Sequence, residues 1–231
     1  MNTKIKNCIS NAAILILAPL LAAGLYFFMG NRAFIPASIL LCIIAVGAFI
    51  FRFEKKKSDV SLIVIISVMS ALAIAGRIIF TPFPGIKPVS AIIILCAMYM
   101  GRESGFLCGV LVSLVSNFYF GHGPWTALQM LIWGLTGFFA GMLSGALKKS
   151  RILLCSYGII SGIFFSLVMD VWTMVWTSGG LSFSAYGSAL LYAVGFTALY
   201  SVSNAVFLLI LKKPIGGTLE RLSVKYGIGC K

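Results

Sequence analysis

The sequence predicts an all-α integral membrane protein, on three observations. Of its 231 residues, 60% are hydrophobic and only 10% are charged, and the mean hydropathy is +1.05. Apolar runs of about 18 residues or more recur along the whole chain, each able to cross a bilayer as a helix. Fifteen of the 18 basic residues fall on one side once those runs are laid out as alternating spans.

The chain reads as eight spans, at about 9–29, 34–51, 60–80, 88–100, 103–120, 125–147, 152–176 and 185–211. The first follows Lys4 and Lys6. It is too long for a signal-peptide core and lacks an A-x-A cleavage site, so it is expected to be retained. A Gly30-Asn31-Arg32 turn leads into the second span, and Lys55-Lys56-Lys57 closes this hairpin. The organisation expected is therefore an N-terminal hairpin and basic loop (1–57), a six-helix core (58–213) and a basic tail (214–231).

Within the core, the third span carries Ser67, Ala71 and Ala75 at a spacing of four. Such a stripe of small residues suits close packing inside the bundle, or a lipid-facing groove where another membrane subunit docks; spacing does not choose between them. The fourth span is short for a crossing. The fifth opens on Gly101, Gly105 and Gly109, and the sixth closes on Gly137, Gly141 and Gly145. These stripes predict close helix–helix approach on the basic side. Bulky and polar side chains gather at the other side, in Thr81–Lys87, Gly121–Pro124 and Thr177–Ser184. The shape expected is a cup, closed on the basic side.

Lys4, Lys6, Arg52, Lys55, Lys56, Lys57, Arg102, Lys148, Lys149, Arg151, Lys212, Lys213, Arg221, Lys225 and Lys231 share one side, against Arg32, Arg77 and Lys87. The positive-inside rule then places both termini in the cytoplasm of a plasma membrane. The net charge of +13 belongs to short loops, so it speaks for topology and anionic headgroups, not nucleic acid. Cys8, Cys42, Cys96, Cys108, Cys155 and Cys230 form no C-x-x-C pair; with one histidine in the chain, no metal site and no cofactor are expected. There is no phosphate-binding G-x-x-x-x-G-K-[ST], no H-E-x-x-H and no G-x-S-x-G. A chain that binds on one side without a motor of its own takes its energy from a partner.

The most informative stretch is Asn117 to Trp133. It holds the lone His122 in a Gly121-His122-Gly123-Pro124 turn, where glycine permits positive φ and proline suits the first turn of a helix. In that helix Trp125, Gln129 and Trp133 share a face. Two aromatic rings and an amide on one stripe suit a flat, polar-edged ligand; tryptophans are also common in the aromatic belt of a bilayer. Arg77 and Asp170 lie within spans, where a charge faces a cavity or a partner, or snorkels to headgroups. Asp170 could pair with Arg77 or Lys87, or meet ligand. The candidate ligand set is Arg77, Lys87, Asn117, Phe118, His122, Trp125, Thr126, Gln129, Met130, Trp133 and Asp170. Two other functions remain open: an intramembrane enzyme using His122 and Asp170 as acid and base, and a structural assembly subunit.

Taken in order, Ala71-Leu72-Ala73-Ile74-Ala75-Gly76-Arg77, Pro84-Gly85-Ile86-Lys87-Pro88, Gly101-Arg102-Glu103-Ser104-Gly105-Phe106 and the Asn117–Trp133 stretch resemble the substrate-binding S component of energy-coupling factor (ECF) vitamin importers. The last is similar to a Gly-Gln-Gly-Pro-Trp-Thr-x-x-Gln-Met pattern of these subunits, with His122 in place of the glutamine. The resemblance covers about residues 60–212. It implies a six-transmembrane-helix S-component core, here with two additional N-terminal helices, that captures a vitamin from outside. It implies as partners a transmembrane coupling subunit, met through Ser67, Ala71 and Ala75, and two cytoplasmic ATPase subunits of a bacterial cell membrane complex. The Gly-x-Gly-Pro-Trp-Thr variety looks most like subunits for cobalamin or its precursors; the aromatic rim suits a flavin equally.

Overall fold

The computed structural model describes residues 60–123 and 125–228, together with Ile43 and Gly47. The expected spans 9–29 and 34–51, Pro124 and residues 229–231 lie outside the described residues. Among the described residues the secondary structure is helical: α1 (Val60–Ile79), α2 (Val89–Met100), α3 (Arg102–Phe120), α4 (Trp125–Met142), α5 (Ser144–Lys149), α6 (Arg151–Ser178), α7 (Phe183–Leu211), a π-helical turn (Lys212–Gly216) and α8 (Gly217–Tyr226). Four of these stretches are long and apolar enough to cross a membrane: α1, α3, α6 and the continuous rod Phe183–Tyr226.

One expected span is as short as the sequence suggested, and another comes out shorter. The run at 88–100 is the 12-residue α2, roughly 18 Å long at 1.5 Å per residue. The run at 125–147 breaks after Met142, and α5 resumes it at Ser144. All of α2 is buried, because α1, α3, α4, α7 and α8 pack around it. A helix that is apolar all round has no preferred face, so it can serve as the axis of a bundle. Lipid-facing and helix-facing apolar side chains look alike in a hydropathy profile; burial separates them.

The glycine stripes act as expected in α3 and α4. A Cβ on Gly105 would meet Ala97 and the Gly137 backbone, and one on Gly137 would meet the Gly105 backbone. Gly109 lies on the Trp133 backbone, and Gly141 on that of Arg102. The two helices therefore touch backbone to backbone along most of their length, which gains dispersion contacts without side-chain ordering. Gly145, by contrast, faces open space. Gly101 alone joins α2 to α3, with φ 100°, a conformation that favours glycine.

Helix direction puts Arg102, Lys148, Lys149, Arg151, Lys212, Lys213, Arg221 and Lys225 at the end of the bundle where α1 begins, and Arg77 and Lys87 at the other. At the basic end the Lys212 ammonium donates to the carbonyls of Leu147 (3.4 Å) and Lys148 (2.9 Å), satisfying acceptors that the end of α5 leaves open. The chain beyond residue 214, expected as a basic tail, continues into α8. Leu219 of α8 is buried, and α8 and the first half of α1 bound a groove of about 620 Å³.

Candidate functional site

The site is assembled at the Arg77 end by three helix termini and one loop. Arg77 sits in the last turn of α1, Asn117 in the last turn of α3, and Thr126 and Gln129 in the first turns of α4. All four are buried. The loop Phe80–Pro88 is pinned to α7, where Gly85, at φ +77°, lies against Leu199 and the Phe196 carbonyl. A side chain there would both strain the backbone and strike α7.

Asn117 is the hub. Its Oδ1 accepts from Arg77 Nη1 at 2.9 Å, and its Nδ2 donates to Thr126 Oγ1 (2.9 Å) and Gln129 Oε1 (2.8 Å). Arg77 also donates to Ser116 Oγ. Thr126 Oγ1 accepts from the Gly123 backbone at 3.3 Å, tying the turn before α4 to the hub. A buried polar group needs such partners, because an unpaired one costs about 1–3 kcal/mol. No described residue accepts from the Gln129 side-chain nitrogen.

Aromatic rings form the walls. The Arg77 guanidinium lies 4.3 Å from the centre of the Phe120 ring and 5.1 Å from that of Trp133. Trp133 stacks on Phe165 at 5.3 Å with 16° between planes, and its indole N–H donates to the Tyr200 hydroxyl at 3.3 Å. That hydroxyl is 2.6 Å from Ser90 Oγ. Nearer the end of the bundle, Trp125 meets Trp172 (6.3 Å), which stacks on Trp176 (6.0 Å). Lys87 is half-buried, with its ammonium 5.6 Å from the centre of Phe120 and its backbone N–H donating to Ser203 Oγ at 3.1 Å. Burial, then the nearby Arg77 charge, lowers the Lys87 pKa from its ordinary value.

Of the eleven candidates, the structure gathers Arg77, Asn117, Thr126 and Gln129 into one hydrogen-bonded group, with Trp133 and Lys87 beside it. Trp125 lies on the same helix at the rim. The other four stand apart. Phe118 is 78% exposed and meets the exposed His122 edge-on at 4.6 Å, outside the hydrogen-bonded group. Met130 packs toward the Phe106–Phe138 cluster, on another face of α4. Asp170 accepts from Ser166 Oγ, one turn earlier in α6, at 3.4 Å, and ion-pairs with neither Arg77 nor Lys87. No hydrogen bond or ion pair joins His122 to Asp170 among the described residues. Ser116, Phe120, Trp172 and Tyr200 were missed by sequence reasoning. Trp172 and Trp176, four apart, carried a signal; Ser116 and Tyr200 offered none beyond being polar within an apolar run.

Ser67, Ala71 and Ala75 are exposed on α1, while Ile66, Met69, Ala73 and Arg77 of the same helix are buried. Among the described residues the stripe therefore packs against no other helix, as a docking face would require.

Long apolar helices enclosing an amide–guanidinium hub with aromatic walls define a membrane-embedded substrate-binding protein. Comparison with protein families matches residues 57–221 to the ECF-type riboflavin transporter, S component. The chain belongs to that family, as the motif resemblance implied, and the family is one of transporters, not an enzyme class. Neither the curated proteins nor the solved structures yield a match.

Proposed function

We propose that this protein is the substrate-capturing membrane subunit of an ECF-type importer, and that its ligand is riboflavin or a closely related flavin. The family match names riboflavin, which favours a flavin over the corrinoid suggested by the Gly-x-Gly-Pro-Trp-Thr variety. The observation that carries the reading is the Asn117 hub, whose Arg77 guanidinium lies against Phe120 and Trp133. A flavin is a flat ring system with an amide-like edge, a chemistry that suits a site built of aromatic rings and hydrogen-bonding amides. The free Gln129 amide nitrogen is a donor for a ring carbonyl.

The basic end of the bundle faces the cytoplasm on this reading, and the hub opens outward. Energy comes from two cytoplasmic ATPases through a coupling subunit, which docks on the exposed Ser67–Ala71–Ala75 face of α1. The test is flavin fluorescence quenching by the purified full chain in detergent, without ATP, beside mass spectrometry of co-purifying small molecules. Submicromolar riboflavin binding that weakens at least about tenfold in Gln129→Ala is expected, since losing a buried donor to a ligand carbonyl costs about 1–3 kcal/mol. A protein that retains no small molecule and quenches no riboflavin at micromolar concentration overturns the assignment.

A further inference from the structure

Arg77 and Lys87 present two cations to one aromatic ring, at 4.3 and 5.6 Å from the Phe120 centroid. Neither has a carboxylate partner among the described residues. Glu103 and Glu220 belong to the first turns of α3 and α8, at the other end of the bundle, and Asp170 bonds to Ser166. Arg77 is 8% exposed, and its recorded acceptors, Ser116 and Asn117, are neutral. Buried cations are ordinarily paired, because desolvation is costly and like charges repel. The Phe120 face offsets only part of that cost. The lowered pKa of Lys87 has the same two causes, burial and the Arg77 charge. An anion between the two side chains would reverse both effects.

We propose that Arg77 and Lys87 form an anion subsite beside the Asn117 hub, which takes a phosphate or carboxylate carried by the small-molecule ligand. The inference rests on the hub being the ligand site. A lipid headgroup offers the same phosphate chemistry. Arg77, however, is enclosed by α1, α3 and α4 next to Trp133, a position suited to a ligand held inside the bundle. The phosphate would add charge-assisted hydrogen bonds, each roughly twice as strong as a neutral one, in a site where water screens little.

The experiment compares riboflavin with riboflavin 5′-phosphate by fluorescence quenching, using the full chain in neutral detergent at low salt. The phosphorylated flavin is expected to bind about tenfold more tightly or better, the equivalent of one charge-assisted contact. That ratio should fall toward one in Lys87→Gln, return in Lys87→Arg, and shrink with added salt. Equal or weaker binding of the phosphate, or a ratio unaltered by Lys87→Gln, overturns the subsite. Thermal unfolding with inorganic phosphate, against chloride of equal ionic strength, separates the subsite from the choice of flavin. A stabilisation by phosphate that Lys87→Gln abolishes upholds the subsite even if neither flavin binds. Its absence from the unaltered protein overturns it. The same measurement in nanodiscs of phosphatidylcholine, with and without phosphatidylglycerol, tests the source. Loss of the phosphate effect in the anionic discs would assign the pair to headgroups and overturn the ligand assignment.

Discussion

At the scale of single residues, Asn117 has the most consequences per atom. Its amide joins the ends of α1, α3 and α4 through Arg77, Thr126 and Gln129. Asn117→Ala takes a partner from three buried polar groups at once and leaves Gln129 Oε1 without its own, while Arg77 keeps Ser116 and Thr126 keeps the Gly123 N–H. The expected loss is about 1–3 kcal/mol of stability, read as a lower unfolding temperature in detergent, together with weaker flavin binding. A variant of unchanged unfolding temperature would show that the hub does not hold these helix ends. Lys87 gives a pH dependence whose sign follows from its lowered pKa. Below that pKa the lysine is charged in both the folded and unfolded chain, and the burial penalty is fully present. As pH rises through it, the folded protein sheds the proton first, so stability increases until the ordinary lysine value of 10.5. This alkaline gain should be absent from Lys87→Gln; an equal gain in that variant would trace it to another group.

At the scale of elements, the α3–α4 pair depends on glycine where a Cβ has no room. Gly109→Val pushes a side chain into the Trp133 backbone, which cannot move without α4. Overpacking of this kind costs about 1–3 kcal/mol. Because Trp133 also stacks on Phe165, flavin binding should weaken along with the unfolding temperature. Gly145→Ala belongs to the same sequence stripe but enters open space, and it should leave both measurements unchanged. If the two variants behave alike, the stripe is not the contact. The stripe's spacing of four was plain in the sequence, but spacing did not show that Gly145 lies past the end of the contact. That followed from α4 breaking after Met142.

At the scale of the whole molecule, the Arg77 end holds the hub, and the opposite end holds the basic residues. Between them one face of α1 leaves Ser67, Ala71 and Ala75 exposed. On the proposed reading that face is where force from the coupling subunit enters, while ligand is held by the other face of the same helix. Ala71→Leu should therefore leave flavin binding intact in detergent and abolish uptake in cells carrying the full complex. Loss of binding in that variant would place Ala71 in the structural support of the hub. The groove of about 620 Å³ at the α8 end lies on the first half of α1, apart from Arg77 in its last turn.

Composition, hydropathy and charge asymmetry were enough to establish a helical membrane protein, and the ordered motifs were enough to place it in its family. These properties belong to local runs of residues, so the linear chain displays them in full. The candidate site was legible where it was local: Trp125, Gln129 and Trp133 share one helix face by periodicity alone. The joining of Arg77 to Asn117 spans two helices about 40 residues apart, and no periodicity encodes such a distance. Burial likewise decided the case of α2, whose apolar surface meets protein on every side. It decided as well that Phe118 and His122 are exposed, outside the hydrogen-bonded group. An apolar residue is equally content against lipid or against another helix, so only the packed bundle could say which side chains look inward.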